Sequence, residues 1–87
     1  MRRLFDETLN NIIINFLNTL EENHTRNDKD KAIFTAKEQM IGAYKFLKSV
    51  AAQQIVERCE QDLKENIKEL YDAVGWNYDP DYDIDLQ

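Results

Sequence analysis

The start of the chain combines two cations with an aromatic ring, a pairing that can grip a phosphate and stack on a nucleobase. Arg2 and Arg3 precede Phe5 within the run MRRLF. An arginine binds phosphate oxygens in a bidentate manner, and an aromatic ring can stack on a base. A helix that begins here would add the partial positive charge of its N-terminus. The simpler alternative, which we prefer, is a frayed helix terminus with the ring of Phe5 in the core.

A second group lies in residues 44–48, where Tyr44, Lys45, Phe46 and Lys48 interleave rings and cations. Neighbouring residues of a helix point about 100° apart, so Tyr44 and Phe46 cannot both enter one hydrophobic seam. One of the two rings must therefore leave the core. This predicts burial between subunits or a hydrophobic wall for a ligand, and a subunit contact is the simpler of these alternatives.

Motifs that carry catalysis or metal binding do not occur in the sequence. There is no glycine-rich phosphate loop, no HExxH, no paired His/Cys ligand set and no nucleophile elbow. His24 is the one histidine and Cys59 the one cysteine. Because Cys59 lies on an apolar helical stripe, we expect it to be a small core residue. We therefore predict a protein that is not an enzyme and that uses neither a metal nor a cofactor.

Charge is divided unevenly along the 87 residues. Residues 1–52 carry eight Lys/Arg and seven Asp/Glu, whereas residues 53–87 carry three and ten, giving a net charge of −6. An acidic chain is a poor general ligand for DNA or RNA, although a small anion could bind the basic residues of the first half. No apolar run is long enough to span a bilayer, and a single cysteine is typical of a reducing compartment. We expect a cytoplasmic protein without a membrane or nucleic-acid polymer as partner.

Hydrophobic periodicity predicts that long helices carry these residues, and the presence of only two glycines and one proline agrees. The first helix is predicted from about Arg3 to Asn23. The second begins near Lys31, with Asp28 or Asp30 as its N-cap. The apolar stripes are Phe5, Leu9, Ile12, Ile13, Phe16, Leu17 and Leu20 in the first helix, and Ile33, Ala36, Met40, Ala43, Leu47 and Val50 in the second.

The stripe of the second helix continues without a turn residue to Val74, and Gly75 then falls where a left-handed C-cap belongs. The first helix would span about 30 Å, whereas 45 continuous residues would span about 68 Å. Half of the second helix would remain uncovered. Either the chain breaks near residues 51–54 into a third helix that folds back, or this stripe packs on another subunit. Because no turn residue marks a break, we favour the homo-oligomer.

These patterns predict an all-α fold: an antiparallel helical hairpin with a long second helix or a third C-terminal helix, in a homo-oligomeric assembly. Residues 1–75 form a single helical domain, and residues 76–87 form an acidic aromatic tail. The tail could dock on a basic protein surface, mimic phosphates or remain solvated. Its aromatic residues favour packing of part of it onto the helices.

The run AKEQMIGAYKFLKSVA, residues 36–51, resembles the second helix of the helical-hairpin domain in phage anti-CBASS sponges, which sequester cyclic oligonucleotide second messengers. Lys37, Gln39, Met40 and Gly42 carry the first part of the similarity. The second part is carried by Phe46, Lys48, Ser49, Val50 and Ala51. Gly42 also weakens a helix by about 1 kcal/mol relative to alanine. Such a glycine indicates a place where another helix or a ligand comes close.

The resemblance implies a non-catalytic phage protein that forms a homo-oligomer, a hexamer. It would bind a cyclic dinucleotide such as cyclic GMP–AMP in pockets between subunits and so block bacterial anti-phage CBASS signalling. Cations would clamp the phosphates and aromatic rings would sandwich the bases. The ligand-binding residues that we predict are Arg2, Arg3, Phe5, Tyr44, Lys45 and Lys48. Only Lys48 corresponds to a basic position of the family, whereas Phe5 with Arg2 or Arg3 could replace the family's stacking ring and phosphate-binding lysine without an alignment. The alternative is a small phage or bacterial helical protein that inhibits or adapts a host protein through its acidic aromatic tail.

Overall fold

Three α-helices form most of the described chain. The computed structural model describes residues 2–22 and 26–78, and its helices are α1 (Arg2–Glu22), α2 (Arg26–Val50) and α3 (Gln53–Val74). Each helix packs against the other two. The all-α prediction is confirmed. Two arrangements were predicted after the first helix, and the structure has the one with a third helix in place of a single continuous second helix.

Helix boundaries agree with the prediction for α1 and differ for α2. Helix α1 lies within one residue of the predicted bounds at both ends. Helix α2 begins at Arg26, several residues before Lys31, so Asp28 and Asp30 lie inside the helix and the predicted N-cap is wrong. Asp28 lies instead in the first turn, where a carboxylate stabilises the positive helix end. His24 lies outside the described residues.

The chain turns between α2 and α3 within two alanines. Ala52 is extended, with φ −65° and ψ 150°, and no side chain caps the new helix. The N–H of Ala51 still donates to the Leu47 carbonyl at 2.9 Å, while those of Ile55 and Val56 donate to the Ala52 carbonyl at 3.0 and 3.1 Å. One helix therefore ends where the next begins. Because the turn folds the stripe of α3 back onto α1 and α2, the length argument for a second subunit no longer holds.

Helix α3 ends at the predicted C-cap, and the chain then folds onto the core. Gly75 is left-handed, with φ 75°, and the N–H of Trp76 donates to the Tyr71 carbonyl at 3.0 Å. Trp76 and Tyr78 pack against the core, and the Tyr78 ring lies 5.5 Å from the Tyr71 ring at an angle of 62°. The expected packing of tail aromatics is confirmed for these two. Residues 79–87 lie outside the described residues.

The core lies where the three helices meet. Leu9, Met40 and Leu63, one from each helix, are fully buried. Burying a side chain of this size stabilises the fold by about 1.5–3 kcal/mol. Leu17 and Val50, both on predicted stripes, are 44% and 54% exposed. The predicted stripes are therefore wider than the faces that the bundle buries. The other buried side chains are Phe5, Phe16, Ala32, Ile33, Ala36, Ile41, Tyr44, Leu47, Val56, Cys59, Ile67, Leu70 and Tyr71.

Candidate functional site

Arg2 is held by a carboxylate of another helix. Its Nε and Nη2 donate to Oδ2 and Oδ1 of Asp62 at 3.0 and 3.3 Å, and its Nε lies 3.9 Å from Asp6 on the same helix. The hydrogen bond from Arg2 lowers the pKa of Asp62. Partial desolvation of the Asp6 carboxyl, which is still 46% exposed, together with a hydrogen bond to Asp62 raises the pKa of Asp6. These three side chains form one ionic cluster that joins α1 to α3, and a phosphate that bound Arg2 would compete with Asp62 for its guanidinium.

The other three predicted cations are accessible. Arg3 is 91% exposed, and its Nε lies 3.3 Å from Oε1 of Glu7 one turn later. Lys45 and Lys48 are exposed on α2. An exposed ion pair contributes about 0–1 kcal/mol, so Arg3 could exchange Glu7 for another anion at little cost.

The two predicted stacking rings lie inside the core. Phe5 and Tyr44 are 4% and 3% exposed, and their ring centroids lie 6.5 Å apart at 61°, edge to face. Burial raises the pKa of the Tyr44 phenol. Because neither ring presents a face to solvent, a base could stack on one of them only if α1 and α2 separated.

The six predicted site residues do not form one pocket within a single chain. The two rings meet in the core, Arg2 faces α3, and the remaining cations lie on exposed faces of two helices. Lys48 lies about 160° around α2 from Phe46, the exposed ring nearest to it in sequence. A ligand that touched both would need a second chain to complete its site. The pocket between subunits therefore stays a prediction.

An apolar groove lies between the first turns of α1 and the last turns of α2. Its rims are Leu4 and Phe46, which are 68% and 70% exposed. Between them lies a hollow of about 360 Å³. Contiguous exposed apolar surface is a common feature of contact sites, which makes this groove the candidate site. The groove is defined here by six residues, Leu4, Phe5, Thr8, Ala43, Phe46 and Leu47.

The sequence indicated only half of this groove. The expectation that one ring of residues 44–48 leaves the core is confirmed, since Tyr44 is buried and Phe46 is exposed. Periodicity could not choose between them because the choice depends on which side of α2 the third helix covers. The contribution of Leu4 was missed. The signal that could have indicated Leu4 is its place as an apolar residue immediately before the predicted stripe of the first helix.

The groove is one end of a longer face formed by α1 and α2, which we call the α1/α2 face. Farther along the same helices lies a second hollow of about 370 Å³. Its floor includes Ile12, Phe16 and Ala36, and its rim includes Asn15 and Gln39. Since Phe5 meets Tyr44 at one end and Phe16 lies near Ala36 toward the other, the two helices are antiparallel.

Lys37 and Gly42, both within residues 36–51, differ in their contacts. Lys37 donates from Nζ to the Tyr71 hydroxyl at 3.2 Å, so α3 engages it. Gly42 is exposed, and a Cβ added to it would meet no atom within 4 Å. In the part of the chain that the structure describes, no close approach explains the glycine.

Cys59 is fully buried, as predicted, and burial raises the pKa of its thiol. The thiolate is the nucleophilic form, so this cysteine is unreactive in the folded protein. Within residues 2–22 and 26–78, no three His, Cys, Asp or Glu side chains are grouped to hold a metal ion. In the same part of the chain, no helix combines the length and apolar character needed to cross a bilayer.

Comparison with known proteins adds no relative: no family model, no curated protein and no solved structure matches the chain. The resemblance to the anti-CBASS sponges thus stays a prediction that rests on residues 36–51. The geometry of the helices and of their exposed surfaces carries the functional argument.

Proposed function

We propose that this protein is a non-catalytic binding protein that acts by docking a protein helix on its apolar groove. The exposure of Leu4 and Phe46 on either side of one hollow carries the proposal. Each of these side chains would gain about 1.5–3 kcal/mol from full burial. Within residues 2–22 and 26–78, nothing covers them.

The shape of the groove supports a helix as the occupant. Two antiparallel helices leave a long furrow between them, and a third helix packs into such a furrow at about 8–10 Å from its neighbours. Amphipathic helices are commonly bound in this way through apolar anchors one turn apart. The contact surface is thus the groove, and not the tail aromatics Trp76 and Tyr78, which pack on the protein's own core.

A photo-crosslinking residue at position 46 tests this proposal. Phe46→benzoylphenylalanine in cells that express the chain is expected to form a discrete protein adduct, and the adduct should disappear when Leu4→Glu is added across the groove. Phe34→benzoylphenylalanine is the matched control, because Phe34 is an equally accessible ring on the same helix, 64% exposed. Equal labelling from both positions, or none from position 46, would contradict the proposal.

Sequestration of a cyclic oligonucleotide such as cyclic GMP–AMP, which would block CBASS signalling by a phage protein, is a second candidate function. One observation favours it: the exposed ring of Phe46 adjoins Lys45 on a helix with six basic and three acidic residues. Since Lys48 points away from Phe46, such a site would draw on more than one chain.

Thermal unfolding with and without cyclic GMP–AMP tests the second candidate. A ligand at about one hundred times its Kd raises the free energy of unfolding by about 2.7 kcal/mol. The gain should fall when Lys45→Ala and Lys48→Ala are combined. An unchanged melting temperature at saturating nucleotide would eliminate this function and leave the helix-docking proposal intact.

A further inference from the structure

We propose that the helix docked on the apolar groove belongs to a second copy of this chain. The proposal rests on the function proposed above and names the partner. Two copies pack their α1/α2 faces together about a two-fold axis parallel to the helices. Helix α2 of each copy then enters the furrow between α1 and α2 of the other copy and lies against its α1, and the four helices form two packed layers.

The groove carries both halves of a self-complementary contact. A two-fold interface uses the same patch on each copy, so the patch must offer a projection and a recess. Phe46 and Leu4 project, with 70% and 68% of their surface exposed. The hollow of about 360 Å³ beside Thr8 and Ala43 is the recess. With the stated axis, Phe46 of one copy enters the hollow beside Leu4 of the other.

Gly42 gains a structural reason in this arrangement. It lies one turn before Phe46, on the same side of α2. The space above it is open, since an added Cβ would meet nothing within 4 Å. A helix of a second copy can therefore approach the backbone of α2 closely at this point.

Charge supports packing of α1 against α2 of the other copy. Helix α1 has two basic and four acidic residues, a net charge of −2, whereas α2 has six and three, a net charge of +3. These are net charges of whole helices and not ion pairs across the contact, because Arg2 and Asp6 meet Asp62 of α3 and Lys37 meets Tyr71 of α3. The stated axis places the acidic helix beside the basic helix twice, which favours this pairing at long range. Helix α3, with three basic and six acidic residues, lies behind both helices, away from the contact. Complementary charge of this kind selects orientation.

The face is large enough for a specific dimer. Helix α1 has 21 residues, so the face is about 30 Å long, and two adjacent helices make it about 20 Å wide. Each copy thus contributes about 600 Å², or about 1,200 Å² in total, which reaches the lower limit for specific protein interfaces.

Sedimentation velocity on the full-length chain over a range of concentrations tests the dimer. The wild-type protein is expected at twice the chain mass of 10.3 kDa. Phe46→Glu should raise the dissociation constant about 100-fold or more, because each dimer loses two buried rings. Phe34→Glu is the control, since this ring lies about 120° around α2 from Phe46. It should leave the dimer intact, and circular dichroism should show the same helicity in all three proteins.

A mixing experiment tests the two-fold packing itself. Leu4→Lys alone should also dissociate the dimer. An equimolar mixture of Phe46→Glu and Leu4→Lys chains should form a heterodimer, because one native Phe46–Leu4 contact and one Glu–Lys pair result. A mixture that stays monomeric overturns the stated packing.

Other outcomes also decide the proposal. A wild-type chain that stays monomeric, a dimer that survives Phe46→Glu, or one that Phe34→Glu dissociates overturns it. These results are distinguishable from failure of the proposed function. If the chain is monomeric but position 46 still crosslinks to a different protein, the groove binds a partner and only its identity as a second copy is wrong.

Discussion

The two glycines of this chain have similar free space around them but different main-chain conformations. A Cβ added to Gly42 or to Gly75 would meet no atom within 4 Å, but only Gly75 has a positive φ, +75°. Steric room is therefore equal at the two sites. The two sites differ in main-chain conformation. Alanine adopts the helical conformation of Gly42 without strain, whereas the left-handed conformation of Gly75 is unfavourable for it.

Gly42→Ala is expected to raise the free energy of unfolding by about 0.5–1 kcal/mol, because alanine loses less backbone freedom when the helix forms. Gly75→Ala, the matched control, should lower it by about 1–2 kcal/mol. Urea denaturation in the Phe46→Glu background measures both without a contribution from association. A loss of stability in Gly42→Ala under these conditions would show that something within the chain packs on Gly42.

The carboxyl pair Asp6 and Asp62 should respond to pH with opposite signs. The pKa of Asp6 lies above its ordinary value of 3.8, chiefly because of burial, so its ionised form is disfavoured in the folded protein. Asp6→Asn is therefore expected to raise the free energy of unfolding at pH 7. The gain should vanish as the pH falls through the folded pKa of Asp6 and below 3.8, where this carboxyl is protonated in both states.

Asp62→Asn is the matched comparison for that experiment. The pKa of Asp62 is held below 3.8, first of all by the hydrogen bond from Arg2, so its carboxylate adds stability above pH 3.8. The substitution should lower the free energy of unfolding at pH 7, and the loss should shrink as the pH falls through the folded pKa. Unfolding curves between pH 2 and pH 7 measure both effects. The same sign for the two substitutions would contradict this account.

At the scale of the helices, the least predictable element is the boundary between α2 and α3. Alanine is the best helix former, so Ala51 and Ala52 give no local reason to stop. The break follows from tertiary packing, because only a reversal lets Leu63 and Ile67 reach the same core as Leu9. Such a cause lies in residues distant in sequence, which local pattern cannot show.

The other features were also predictable only where residues close in sequence determine them. Periodicity was sufficient for α1 and for the buried position of Cys59, because one apolar face defines both. It was insufficient for the candidate site, since the choice between Tyr44 and Phe46 depends on the position of α3. The predicted cations were found on the surface, but sequence spacing could not indicate that Asp62 binds Arg2 from 60 residues away.

Ala52→Ser is expected to stabilise the protein by about 0.5–2 kcal/mol. Ala52 is the N-cap of α3, and no side-chain oxygen accepts a hydrogen bond from the first N–H groups of the helix. A serine hydroxyl would supply this acceptor. Ala52→Val adds volume without an oxygen and serves as the control. Chemical denaturation compares the two, and a serine variant less stable than wild type would indicate that residues 50–54 form a continuous helix instead.

For the molecule as a whole, the segment after α3 contributes to the fold. Trp76 and Tyr78 are half-buried against the core. Replacing both with serine in the full chain should lower the free energy of unfolding by about 2 kcal/mol, from lost apolar burial and the lost Tyr71–Tyr78 ring contact. Phe34→Ser, at an exposed ring, should change it by less than about 0.5 kcal/mol. Equal effects in the two proteins would show that these aromatic residues do not pack on the core.

Trp76 is also the only tryptophan of the chain, and it lies at the end of the bundle opposite Leu4 and Phe46. Its fluorescence will thus report whether the bundle is folded and will not respond to binding at the groove. Folding and occupancy can be followed as two independent optical signals, one intrinsic and the other from a dye placed near Phe46. Because Cys59 is buried, a thiol introduced at the groove can carry that dye without removal of the native cysteine.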